Sequence, residues 1–145
     1  MSDSNAINTE TFKAAVKRRK EREDLQFLIV EDQKFSRLML KNFLAKSYTV
    51  AMAESGEEAL AAYVTAAPDI VFLDIELPKI SGHQVRDLLV KLDPEAFVVM
   101  VTANNHKQDV ETSMKGGAKG FIVKPYTKEK IYDIIDKYIA AKQGR

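Results

Sequence analysis

Short apolar runs alternate with amphipathic stretches from Leu25 onward, and the two kinds of segment differ in period. The runs are Leu25 to Val30, the weaker Tyr48 to Ala53, Ile70 to Leu73, Phe97 to Val101 and Gly120 to Val123. The stronger ones are apolar on consecutive positions, as strands are when both faces of a sheet are covered. Between them apolar residues recur at helical spacing: Leu38, Leu40, Phe43 and Leu44 within Ser36 to Leu44, and Leu60 and Val64 within Glu57 to Val64. Leu88, Leu89 and Leu92 follow within Val85 to Leu92, and Ile131, Ile134, Ile135 and Ile139 close the series. Each set forms one stripe along a helix. Gln108 to Lys115 has only Val110 and Met114 as anchors, which predicts the least firmly packed helix. Turn residues fall at the joints: Ser55-Gly56, Pro68-Asp69, Ser81-Gly82 and Gly116-Gly117. The alternation predicts an α/β fold, a doubly wound five-stranded parallel sheet with helices on both faces.

Residues 1–24 are different. They are polar, with Phe12 and Val16 at i, i+4 spacing and a basic cluster Lys17, Arg18, Arg19, Lys20 diluted by Glu21 and Glu23. Thr9 or Thr11 can cap a short helix here, yet one apolar pair does not hold a lone helix against chain entropy. The segment is expected to be a partly ordered N-terminal arm, a target-binding element or a simple tail, with residues 25–145 forming one domain.

Composition narrows the classes of function. A chain of 145 residues with 46% hydrophobic content supports one core. Lys plus Arg number 22 against 21 Asp plus Glu, a formal net charge of +1, so no global field draws in nucleic acid or an anionic membrane. Cysteine is absent, which excludes disulfides and thiolate metal sites and suits the cytoplasm. No apolar run approaches the roughly 20 residues of a membrane helix.

In an open parallel sheet, ligands bind outside the carboxyl ends of the strands. The residues that follow the strong runs are Glu31-Asp32, Asp74, Thr102 and Lys124-Pro125. Three carboxylates, a hydroxyl and an ammonium should therefore share one crevice, because right-handed connections put all parallel strand ends on one side. Each residue also has a plainer use: Asp32 as a helix N-cap, Asp74 as a turn residue before Pro78, Thr102 as a strand end, Lys124 as a solvated surface group. Four such coincidences at one sheet edge favour a site.

The run Ile70-Val71-Phe72-Leu73-Asp74-Ile75-Glu76-Leu77-Pro78 with Ser81-Gly82 resembles the phospho-acceptor strand and loop of response-regulator receiver domains. Gly117-Ala118-Lys119-Gly120-Phe121-Ile122-Val123-Lys124-Pro125-Tyr126 resembles the family's last strand, and Glu31-Asp32 and Thr102-Ala103 complete the pattern over about residues 25–141. The resemblance implies a flavodoxin-like strand order 2-1-3-4-5 and a switch of two-component or phosphorelay signalling. It implies that Asp74 is the phospho-acceptor, with Thr102 and Lys124 contacting the phosphoryl group. Mg²⁺ would be held by Asp32, Asp74 and the backbone carbonyl of Glu76, with Glu31 reaching it through water. Crowded carboxylates suit a hard divalent cation, which offsets their repulsion. A cis peptide before Pro125 is implied too.

Further roles follow from the same resemblance. Thr102 and Phe121 would form the switch, although an aromatic at Phe121 suits an ordinary core equally. Glu76 and Asn104, each two residues past a site member, would tune dephosphorylation. Glu31 stands where aspartate is more usual, which lengthens the reach to the metal. The partners implied are a histidine kinase or histidine phosphotransfer protein, and a downstream protein that reads the face built by residues 108–141. A phosphorylation-dependent dimer is compatible with that face, and the short chain is expected to act as a stand-alone regulator that catalyses only its own phosphorylation and dephosphorylation.

Three alternatives compete. A haloacid-dehalogenase-type phosphatase also uses an aspartate nucleophile, Mg²⁺, Thr or Ser, and Lys, but it places a second Asp two residues on, in the first strand, whereas Glu76 holds that offset in the third. A flavodoxin-like cofactor binder would need a glycine-rich cradle, and Glu31-Asp32-Gln33-Lys34 is acidic instead. A phosphorylation-independent interaction module would not need the complete acceptor set.

Overall fold

The computed structural model describes residues 2–103 and 107–143. After an N-terminal helix α1 (Ser2–Glu21), strands and helices alternate: β1 (Gln26–Val30), α2 (Lys34–Leu44), β2 (Thr49–Ala53), α3 (Gly56–Ala66) and β3 (Ile70–Asp74). The second half runs α4 (Gly82–Leu92), β4 (Val98–Thr102), α5 (Lys107–Lys115), β5 (Gly120–Val123) and α6 (Lys128–Gln143). All strand pairs are parallel, and the sheet order is β2-β1-β3-β4-β5, as expected. Among the described residues no helix is long and apolar enough to cross a membrane.

β3 and β4 are buried at every position, which is why they read as unbroken apolar runs. Alternate residues of the strands feed two cores. On one face Phe27, Ile29, Phe72 and Val99 meet Leu40 and Leu44 of α2 and Ile131, Ile134 and Ile135 of α6. On the other face Leu28, Val71, Leu73 and Val98 meet Ala59 and Tyr63 of α3 and Val85 and Leu89 of α4. Ser55 caps α3 by accepting from the Glu58 amide at 3.2 Å, and Ser81 and Gln84 form a capping box on α4. Asp32 does not cap α2: Gln33 stands at that position and makes no side-chain cap bond.

Three helices differ from their expected stripes. In α4, Leu88 and Leu92 are largely exposed, 45% and 41%, while Arg86 is buried beside Gly116 in the turn after α5. A Cβ on Gly116 would lie 2.2 Å from the Arg86 guanidinium carbon, so the helix is turned to place a cation, not leucine, in that slot. In α3 the inward residues are Ala59 and Tyr63, with Leu60 only half-buried. In α2, Leu38 is exposed and Arg37 is buried.

The N-terminal segment, expected to be partly ordered, is a helix of 20 residues laid against α3. Its apolar contribution is small: Ala15 is buried, and Phe12 stacks near Tyr63 with ring centroids 5.9 Å apart. What holds it is polar. Arg19 donates to Asp93 at 3.0 Å, and the Tyr63 hydroxyl donates to the same carboxylate oxygen at 2.8 Å. Arg22, just past the helix, donates to Asp69 at 2.8 Å and to the Ala67 carbonyl at 2.9 Å. The apolar pattern of residues 1–24 carries no trace of these partners, which lie 44 to 74 positions away.

Candidate functional site

Four strand ends converge as the sequence predicts. β3 finishes on Asp74 and β4 on Thr102, while Glu31 and Lys124 directly follow β1 and β5. The ladder continues a step past the strands: the Glu31 amide donates to the Ala53 carbonyl, Ile75 to Val101 and Lys124 to Thr102, at 2.7 to 3.0 Å. These bonds fix where each side chain leaves the backbone.

Glu31 is wholly buried, Asp74 is 5% exposed and Thr102 1%. Lys124 bridges the acids, with its ammonium on Glu31 Oε1 and 3.2 Å from Asp74 Oδ2. Asp32 is exposed at the rim, yet carboxylate oxygens of Glu31, Asp32 and Asp74 all lie within 4.8 Å of one another. The Glu76 amide donates to Asp74 Oδ1 at 2.9 Å and so orients the carboxylate from its own loop. The Lys124-Pro125 peptide is cis, as the resemblance implied.

The loop after β3 doubles back tightly. Gly82 donates its amide to the Ile75 carbonyl at 2.8 Å, and a Cβ there would fall 2.2 Å from the Asp74 carbonyl oxygen. Only glycine allows that approach.

Electrostatics reflect the crowding. Burial, reinforced by hydrogen bonding to Asp74 and by its charge, pushes the Glu31 carboxyl up, while Lys124 pulls it down. Burial works to lower the Lys124 ammonium, but its bond to Glu31 and the charges of both acids outweigh this and raise it. Tyr126 is buried behind the site, and burial with the nearby Glu31 and Asp74 pushes its phenol up. Three carboxyl groups and one ammonium are thus crowded together at one edge of the sheet.

Phe121 is half-buried against the core on the Tyr63 face, opposite Met100 in the ladder. Asn104 lies outside the described residues. Arg37 was missed by the sequence pattern. Its guanidinium donates to the Glu31 carbonyl at 2.9 Å, the Asp32 carbonyl at 3.4 Å and Glu54 Oε1 at 2.9 Å. The available signal was an arginine at 37 in line with Leu40 and Leu44 on the apolar face of α2.

Residues 27–136 match the family described as response regulator receiver domain. The chemotaxis protein CheY of Listeria monocytogenes is 39% identical over 115 residues, covering 78% of this chain and 97% of its own. CheY of Thermotoga maritima is 38% identical over 112 residues, 76% of this chain and 93% of its own. In the CheX-CheY-BeF3-Mg²⁺ complex of Borrelia burgdorferi the matched chain is 31% identical, with a TM-score of 0.76 over 79% of this chain and 89% of that one. A receiver domain protein of Methanospirillum hungatei, 24% identical, covers 84% of this chain and 98% of its own at a TM-score of 0.78, a likeness of fold. The phosphatase and cofactor-binder alternatives find no such support. The convergence of Glu31, Asp32, Asp74, Thr102 and Lys124 at one sheet edge is thus that of a response-regulator receiver domain, the family to which the chain belongs, a phosphorylation-activated switch of two-component signalling.

Proposed function

We propose that Asp74 accepts a phosphoryl group from a histidine kinase or histidine phosphotransfer protein, in a Mg²⁺-dependent reaction. The observation that carries the proposal is the Lys124 ammonium shared by Glu31 and Asp74, with Asp32 completing three carboxylates within 4.8 Å. Three carboxylates are a hard oxygen donor set, which fits Mg²⁺. The ion would be held by Asp32, Asp74 and the backbone carbonyl of Glu76, with Glu31 reaching it through water, and once bound it would supply charge neutralisation to phosphoryl oxygens.

The chain's own residues do the rest. A carboxylate oxygen of Asp74 attacks phosphorus, the new O–P bond forms as the donor's P–N bond breaks, and the electron pair leaves with the imidazole, which takes a proton. Lys124, already beside Asp74 Oδ2, transfers its hydrogen bonds to the incoming phosphoryl oxygens, and the Thr102 hydroxyl donates to another. The Glu76 amide keeps Asp74 oriented throughout. Glu76 and Asn104 tune how fast water removes the group. Movement of Thr102 towards the phosphoryl group allows Phe121 to turn inward, which biases two packings of the segment 108–141 that a downstream protein reads. Residues 25–145 form the receiver unit, with 1–24 as its extension, and the cysteine-free chain works in the cytoplasm. A phosphorylation-dependent dimer through the same face is compatible with this scheme.

Incubation with acetyl phosphate and Mg²⁺ is expected to add one acid-stable, base-labile phosphoryl group, and Asp74→Asn to add none. Labelling unaffected by chelation would remove the metal roles. Steady turnover of small phosphate esters would favour the phosphatase alternative, and no labelling at all would favour the interaction module.

A further inference from the structure

We propose that Arg37 is a positioning residue for the acidic cluster: it holds the backbone of Glu31 and Asp32 in the conformation that presents their carboxylates to Mg²⁺. This rests on the Mg²⁺ site proposed above. Beyond the Glu31 amide, which bonds Ala53, the chain leaves the sheet ladder and enters α2 at Gln33 without a side-chain cap. Asp32 is exposed there, so its place within 4.8 Å of Glu31 and Asp74 depends on the course of the main chain. The Arg37 guanidinium, which is buried, holds that course by donating to both carbonyls of the turn, at 2.9 and 3.4 Å, alongside the Gln33 amide, which donates to Glu31 Oε2 at 3.4 Å.

The other end of the guanidinium is fixed as well. It donates to Glu54 at 2.9 Å, in the turn that follows β2. The Glu54 main chain is tied down in turn, since its amide donates to Glu58 Oε2 at 2.8 Å in the first turn of α3. Arg37 thus clamps the turn after β1 to the turn after β2, from inside. The planar fork suits this use, because it satisfies carbonyls and a carboxylate at once; a lysine ammonium reaches one group or the other. A fixed positive charge beside the turn also lowers the cost of gathering three carboxylates.

The test is magnesium titration by calorimetry on wild-type, Arg37→Lys, Arg37→Met and Glu54→Gln chains, with the Mg²⁺ dependence of acetyl phosphate labelling measured in parallel. Loss of a group that orients metal ligands typically costs about tenfold or more in metal affinity. Arg37→Met is therefore expected to raise both the Mg²⁺ dissociation constant and the half-saturating Mg²⁺ for labelling about tenfold, with the rate at saturating Mg²⁺ little changed. Arg37→Lys should fall between, and Glu54→Gln should give a smaller shift. A purely structural role lowers the folded fraction and melting temperature without moving the dissociation constant of the folded molecules. Wild-type affinity in folded Arg37→Lys and Arg37→Met would overturn the proposal; if Arg37→Met does not fold, Arg37→Lys decides. Failure of the wild-type chain itself to bind Mg²⁺ would instead refute the metal site.

Discussion

Glu31 carries one methylene more than aspartate, and that length lets a wholly buried carboxylate at the end of β1 reach Lys124 beyond β5. In this position Lys124 competes with any cation for the Glu31 carboxylate. A hydrogen bond to a charged group is worth about 1.5 kcal/mol, or about tenfold in affinity. Glu31→Asp, whose shorter side chain weakens the hold on Lys124, is therefore expected to tighten Mg²⁺ binding by up to about that factor in calorimetry. The tyrosines offer a second residue-level prediction. An unfolded tyrosine ionises near 10.0, whereas burial and then Asp93 push Tyr63 well above this, and burial likewise raises Tyr126 and Tyr138. Above that pH the unfolded chain has lost protons that the folded chain keeps, so stability falls as pH rises, by about 1.4 kcal/mol per pH unit for each phenol. Urea denaturation between pH 9 and 11.5 should show a shallower decline for Tyr63→Phe. The residues of the site itself were legible because each one follows an apolar run. Arg37 was not, because its partners are main-chain carbonyls and a glutamate from another turn, and no spacing rule encodes them.

Elements were legible to the extent that burial is apolar. β3 and β4, covered on both faces, announce themselves; α4 misleads, because Arg86 fills the slot beside Gly116 while Leu88 and Leu92 face outward. α1 misleads for a related reason. Its docking rests on Arg19 with Asp93, both side chains 8% exposed, and on Arg22 with Asp69. Removing one member of a buried pair strands the other, at a cost of about 3 to 5 kcal/mol. Arg19→Met is expected to lose about 3 kcal/mol in urea denaturation. The paired change Arg19→Met with Asp93→Asn should recover part of that loss, since Tyr63 still has an oxygen to which it can donate.

The molecule as a whole has two chemically distinct ends. Acids and Lys124 gather at the carboxyl ends of the strands, whereas Asp69 and Asp93 sit at the amino ends of β3 and β4 and receive the arginines of the N-terminal segment. A strand of five residues separates them, about 16 Å. Effects at that separation add independently unless a shared element couples them. Arg19→Met should accordingly leave the half-saturating Mg²⁺ for labelling unchanged while lowering the melting temperature, and a parallel shift in both would show that the two ends communicate. Doubly wound topology was readable from the order of runs alone; the bracing of its amino end was not, because it is written in charges that look like a solvated arm.

Asp69 joins parts of the chain that are otherwise distant: it accepts from Arg22, from the Gln26 amide and, at 2.6 Å, from the Tyr138 hydroxyl of α6. A substitution at Arg22 therefore acts on a junction that also fastens the last helix of the chain. Dyes or isotope labels placed on α6 to follow activation need calibration on an Arg22 variant, since loosening of the N-terminal segment would register there as a false signal.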